Sequence, residues 1–308
     1  MKFAFRPAAT APAGSTPAAG FEAGSKVPPG SRYLNVSTLW IPYYRLVIRA
    51  FYRLHIRHEV ATALSIGCGL AGAALISGLP GSGSFVAAAV LVHLKDVFDA
   101  TDGAVARLTG TGHRFGRFLD TVGDGVVFTS WIGACAWVMA GRGTPPWAAA
   151  TWAVAGWLCL FLQCSYFNFH HLHYLRVAGG SSTSRLDERD AVHAPDRATR
   201  FIAGVYQAWF GWQDRLIARM DQSQRTGAGL PSSSTDPANE GWYRARGFMV
   251  ANSVLCFGTH AFLLVVLLLL HRPEWFLPAV VVGMTAYWAV IVLARRVVFR
   301  PVGAQERA

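Results

Sequence analysis

Polar and apolar positions along this chain separate into blocks rather than stripes. Five stretches, 60–78, 125–141, 143–169, 247–270 and 275–294, contain no Asp, Glu, Lys or Arg. Each is near or above the ~17–25 apolar residues with which a helix crosses a bilayer. They are apolar all round, whereas a soluble helix keeps one polar face. A sixth block begins at Ser84 and stays apolar only to Val92, where His93, Lys95 and Asp96 enter. It spans only if its polar half turns into the bundle. The pattern predicts an all-α integral membrane protein, a six-transmembrane-helix bundle over 58–300.

The flanking segments read differently. Residues 1–35 are rich in Ala, Pro, Gly and Ser and have no apolar core of a signal peptide, so a disordered tail is expected. Over 37–56, Pro42 suits a helix start, and Arg45, Arg49 and Arg53 recur at i, i+4, i+8. Trp40, Ile41, Tyr44, Val47, Ile48 and Phe51 fill the rest. This predicts a juxtamembrane amphipathic helix, lying in the membrane interface or packed on its own bundle. The loop 176–246 is long. It has flexible composition at 179–184 and 226–239, and apolar residues at helical spacing over 196–220, from Phe201 to Met220, behind Pro195-Asp196. One further helix is expected there, at the interface, on the cytoplasmic face of the bundle or against a partner subunit. Residues 301–308 read as a short tail.

Composition agrees. Of 308 residues, 53% are hydrophobic and only 15% are charged, against about 25% charged in soluble domains. The net charge of +11 comes from 28 Lys and Arg against 17 Asp and Glu. Nucleic-acid binders spread such charge over a polar domain. Here the basic residues sit between apolar runs, so no nucleic-acid partner is expected. With six spans, 26 basic residues share one side, and only Arg142 and Arg272 face the other. That asymmetry places both termini in the cytoplasm, in the multi-pass inner membrane of the cell. The cysteines, Cys68, Cys135, Cys159, Cys164 and Cys256, lie inside apolar runs without a C-x-x-C pair, which speaks against disulfides and thiolate metal sites.

The scarce acids are concentrated. Asp96, Asp99, Asp102, Asp120 and Asp124 fall at the junction of spans two and three, and ionisable groups at membrane depth are costly and usually functional. Asp99 and Asp102 stand at i, i+3, and Asp120 and Asp124 at i, i+4, so each pair shares a helix face. A hairpin across 108–115 would bring four carboxylates together. Four such groups at low dielectric need cations between them, and clustered oxygens suit Mg²⁺ or Mn²⁺. Gly103, Ala104, Ala106 and Gly116 leave room for a ligand near the backbone. Arg107 adds a guanidinium suited to a phosphate. Carboxylates, metals and an Arg together describe in-line phosphoryl transfer. Intramembrane carboxylates also suit a cation or proton transporter, which would need neither the small residues nor Arg107.

The pattern Asp102-Gly103-x2-Ala106-Arg107-x8-Gly116-x3-Asp120-x3-Asp124, with Asp99 three residues before it, resembles the signature of the CDP-alcohol phosphotransferase family (CDP-alcohol phosphatidyltransferases). The resemblance implies a six-helix membrane enzyme of phospholipid biosynthesis, with a cytoplasmic cavity, that cleaves a CDP-linked donor and releases CMP. It implies two divalent ions, Mg²⁺ or Mn²⁺, held by Asp99, Asp102 and Asp120, with Asp124 on the second ion and acting as general base. It also implies nucleotide contacts at Asp102, Gly103, Ala106, Arg107 and Gly116, with Arg107 on a phosphate. Many members open span one with Pro-Asn-x-x-Thr. Here the stretch is His58-Glu59-Val60-Ala61-Thr62, so Thr62 remains as a nucleotide contact and the Asn does not.

The implied partners are membrane lipids, a CDP-linked donor and an alcohol acceptor, with a homodimer left open. The donor is expected to be CDP-diacylglycerol and the acceptor a small alcohol or polyol phosphate. The alternative is a CDP-choline-type donor with a diacylglycerol acceptor. Span four ends in Phe169-His170-His171-Leu172-His173-Tyr174-Leu175-Arg176. His170, His173 and Arg176 are the candidate acceptor contacts.

Overall fold

The structure is a computed structural model describing residues 27–36, 40–78, 82–180, 192–193 and 196–298. It is helical, with no strand among the described residues. The elements used below are α1 (Ile41–Arg53), α2 (His58–Gly78), α3 (Ser82–Thr109), α4 (Arg114–Gly141), α5 (Pro146–Ala178), α6 (Arg197–Trp209) and α7 (Gly211–Thr226). They continue with α8 (Arg246–Asn252), α9 (Phe257–Leu269) and α10, the helical run Pro273–Arg295, which carries a π-helical stretch at Ala279–Met284.

Four helices, α2, α4, α5 and α10, are long and apolar enough to cross a membrane. A fifth span forms if α8 and α9 count as one, bent by 47° at Cys256. The remaining long helix, α3, is the one that carries Lys95, Asp96, Asp99 and Asp102 along its second half.

The apolar interior lies between α2, α3, α4, α5, α9 and α10. It includes Ile76, Phe85, Val92, Phe128, Trp131, Leu160, Phe161, Leu264, Leu268 and Phe276. Without a water-driven hydrophobic effect, helices in lipid associate through close packing and interhelical hydrogen bonds. Both occur. A Cβ on Gly69 would fall within 2.8 Å of both Val127 methyls, and one on Gly123 would lie 2.5 Å from Ile66, so α2 and α4 meet backbone to side chain. Trp131 Nε1 donates to the Gly69 carbonyl at 2.8 Å. Farther along, Gln163 on α5 donates to Thr285 Oγ1 at 3.0 Å and lies 2.9 Å from His260 Nε2, joining α5, α9 and α10.

Tertiary contacts refine several expectations. Within the segment expected as a disordered tail, Tyr33 Oη lies 2.7 Å from His171 Nδ1, and Tyr174 Oη donates to the Ser31 carbonyl at 2.5 Å. Residues 1–26 and 301–308 lie outside the described residues. The amphipathic segment forms α1, which buries Tyr44, Ile48 and Phe51 and leaves Leu46, Arg49 and Tyr52 exposed. Instead of one helix over 196–220 there are two, broken at Phe210, whose aromatic ring packs into the bundle. Ile202 and Ala203 of the first cover Phe118 of α4.

Candidate active site

The site is built by the turn between α3 and α4. Gly110 takes φ +63°, a left-handed conformation that costs glycine little. The Thr111 N–H donates back to the Ala106 carbonyl at 3.1 Å, the bond that closes a helix C-terminus through such a residue. α4 then starts with His113 as its cap, Nδ1 accepting from the Gly116 N–H at 2.8 Å. Helices α3 and α4 splay apart with little direct contact, and α2 packs against both. The acids face each other across this gap.

Asp99 of α3 and Asp120 and Asp124 of α4 each present a carboxylate oxygen within 4.8 Å of the others. The fourth acid stands slightly aside. Asp102 is buried, and its Oδ2 accepts from Thr62 Oγ1 of α2 at 2.7 Å. One cation enters the cluster from the same chain: Lys95 Nζ lies 2.5 Å from Asp124 and 3.4 Å from Asp99. Lys95 is one turn before Asp99 and only 2% exposed. The sequence signal for it is the i, i+4 spacing to Asp99, which places both on one face.

The donor set suits a hard divalent cation. Three carboxylates from two helices supply oxygens only, and a single ammonium leaves their charge incompletely balanced. Asp99, Asp120 and Asp124 are the residues that fit an ion, with Asp102 beside them.

The small residues have identifiable neighbours. A Cβ on Gly103 would sit 3.1 Å from Arg107 Nη1, so glycine lets the guanidinium fold back along α3. A Cβ on Gly116 would sit 2.9 Å from the His113 ring, so this glycine accommodates the cap. Arg107 is half-buried and interacts with Asp102. Ala106 lies on the same last turn of α3. Thr62, expected at the nucleotide, is the residue that holds Asp102.

The histidines go elsewhere. His170 is buried with Nε2 3.3 Å from Asp221 Oδ1, and His173 stacks on Tyr243 with ring centroids 4.2 Å apart. Arg176 donates to the Ser234 carbonyl at 3.2 Å. All three therefore join the bundle to the 211–246 segment. Asp221 of α7, the partner of His170, also accepts from Arg225 Nε at 2.8 Å, Trp242 Nε1 at 3.0 Å and Tyr243 Oη at 2.6 Å. Burial works against its charge, but the hydrogen bonds from His170 and Tyr243 and the Arg295 charge hold its carboxyl below the usual range. Nothing in the local sequence singles out Asp221, because its partners come from four separate segments.

A second group, His58, Glu59 and His113, also brings ligand-type atoms within 4.8 Å. There the Arg57 guanidinium binds Glu59 at 2.7 Å, and His58 Nδ1 lies 3.2 Å from Thr111 Oγ1. These contacts fasten the start of α2 to the α3–α4 turn.

Comparison with known families agrees with the geometry. The CDP-alcohol phosphatidyltransferase family model matches residues 59–182, which run from the first turn of α2 to just beyond α5. The match covers less than half of the chain, and it supports a membrane transferase of phospholipid synthesis. No curated protein and no solved structure matches the chain.

Proposed function

We propose that this chain is a divalent-metal-dependent CDP-alcohol phosphotransferase that moves a phosphatidyl group from CDP-diacylglycerol to a small alcohol or polyol phosphate and releases CMP. The observation that carries the reading is the meeting of Asp99, Asp120 and Asp124 within 4.8 Å, on helices that belong to the matched domain. A transporter would not require this motif.

In the proposed reaction, Asp124 accepts the proton of the acceptor hydroxyl. The freed oxygen attacks the donor phosphorus distal to the cytidine. The bond from that phosphorus to the CMP oxygen breaks, and CMP leaves with the electron pair. Arg107 holds a donor phosphate, and the glycine at 103 leaves space for both. Asp99, Asp102, Asp120 and Asp124 would hold Mg²⁺ or Mn²⁺, which when bound supplies charge stabilisation to the phosphates. Asp102 keeps its orientation through Thr62.

We further propose six spans, with α3 crossing because its charged half faces the α2–α4 gap, and both termini on the cytoplasmic side of the inner membrane. Exposed Trp137, Trp147 and Trp275 lie together with Arg142 and Glu274 at the opposite ends of their helices. This is where an interfacial aromatic belt belongs. Exposed Tyr43, Leu46, Arg49 and Tyr52 on α1 suit the headgroup region on the active-site side.

The test is CMP release by the purified full chain in lipid nanodiscs with Mg²⁺ or Mn²⁺. CDP-diacylglycerol is supplied with a panel of alcohols, and CDP-choline plus diacylglycerol runs in parallel. Release with the first donor supports the reading. Release only with the second reverses the partners, and release with neither overturns the transferase.

A further inference from the structure

Lys95 is a charged group of the site that lies outside the family motif. It is buried in the second half of α3, with its ammonium on Asp124 and Asp99 and 5.7 Å from the centre of the Phe128 ring. Its own carbonyl accepts from Ser65 of α2 at 3.1 Å. Backbone and side chain are thus both fixed, and the ammonium contacts both Asp99 and Asp124. A buried lysine without anionic partners would be costly. Here its charge is placed where a divalent ion would draw on the same two carboxylates.

We propose that Lys95 is a resident cation of the carboxylate cluster. It holds Asp99 and Asp124 in position in the absence of a divalent ion, and it weakens the binding of that ion by like-charge repulsion. This rests on the metal-centre reading above, and it makes Lys95 a positioning residue that sets metal affinity. Two like charges about 4 Å apart repel appreciably even at an effective dielectric near 20. Removing the ammonium should therefore tighten divalent-ion binding by at least about tenfold, which corresponds to about 1.4 kcal/mol.

The experiment measures Mn²⁺ binding to the full chain in nanodiscs, without nucleotide, by electron paramagnetic resonance. Thermal unfolding is followed in chelator and in saturating Mn²⁺. Lys95→Met is expected to bind Mn²⁺ at least about tenfold more tightly than the wild type. It should unfold at a lower temperature in chelator and recover in Mn²⁺. Lys95→Gln, which keeps a donor without the charge, should behave like Lys95→Met, and Lys95→Arg like the wild type. Unchanged or weaker Mn²⁺ binding in both neutral variants overturns the proposal. So does failure of both to fold in saturating Mn²⁺, because the ion should replace the ammonium. If the wild type binds no Mn²⁺ while Lys95→Met does, the metal-centre reading survives and competition is stronger than stated. Absence of binding in both overturns the metal centre, and this proposal with it.

Discussion

Thr62 shows how one side chain links two helices of the site. Its hydroxyl donates at 2.7 Å to Asp102 and also lies 3.3 Å from the His58 carbonyl. Thr62→Val keeps the shape and removes the donor from a buried carboxylate, a change that costs about 1–3 kcal/mol. We expect lower thermal stability and weaker activity, both largely restored in Thr62→Ser. Equal unfolding temperatures for Val and wild type would show that the bond contributes nothing. Asp124 belongs at the same scale: Asp124→Asn should abolish CMP release while leaving the fold intact by thermal unfolding, and full activity would remove its assignment as base. Asp99→Ala should lower activity and raise the Mg²⁺ concentration needed for half-maximal rate; an unchanged Mg²⁺ titration would count against it as a ligand. The four motif acids are readable from spacing because each pair shares a helix face. The partners Thr62 and Lys95 are less so, since a hydroxyl or an ammonium acquires its role only from the oxygen placed opposite.

At the scale of elements, the site depends on α2 lying against both α3 and α4. Its close approach to α4 requires glycine at position 69, where any Cβ would collide with Val127. Gly67, two residues earlier, has open space at its Cβ position. Gly69→Leu should therefore destabilise the protein by about 1–3 kcal/mol through overpacking, and it should reduce activity by shifting α4 relative to α3. Gly67→Leu should leave both near wild type. Equal effects from the two substitutions, read by thermal unfolding and CMP release, would contradict this packing. The helices themselves are legible as apolar blocks. Their splay is not, because it arises from side-chain volumes on a third helix. The break at Phe210 was hidden for a similar reason: the apolar spacing runs straight through it, and the helix ends where Phe210 packs into the bundle.

At the scale of the whole molecule, Asp221 fastens the 196–246 segment to the bundle through residues of α5, α7, the turn at Glu240–Tyr243 and α10. Removing one partner from such a buried charged network leaves the others unpaired, at a cost of about 3–5 kcal/mol. Asp221→Ala should make 226–239 sensitive to protease and lower the unfolding temperature. Wild-type resistance would show that the anchor lies elsewhere. Because its folded pKa is lowered, the stability contributed by Asp221 is fully present above the unfolded value near 3.9. It is lost as pH falls from there toward the lowered folded value. Acid unfolding followed from pH 6 to pH 3 should therefore show little loss from this residue until about pH 4, and Asp221→Asn should flatten what loss follows.

The membrane character is legible in the chain alone, because apolar runs long enough to span a bilayer are most stable there. The sequence also paired the acids, because helical periodicity puts residues three and four apart on one face. Tertiary structure decided which of those acids meet: three form one group, and the fourth is held by Thr62. It also packed His170, His173 and Arg176 against the 211–246 segment, and it set Lys95 among the acids. Such pairings join residues far apart in the chain, and their energies depend on distance and burial, which no local pattern encodes.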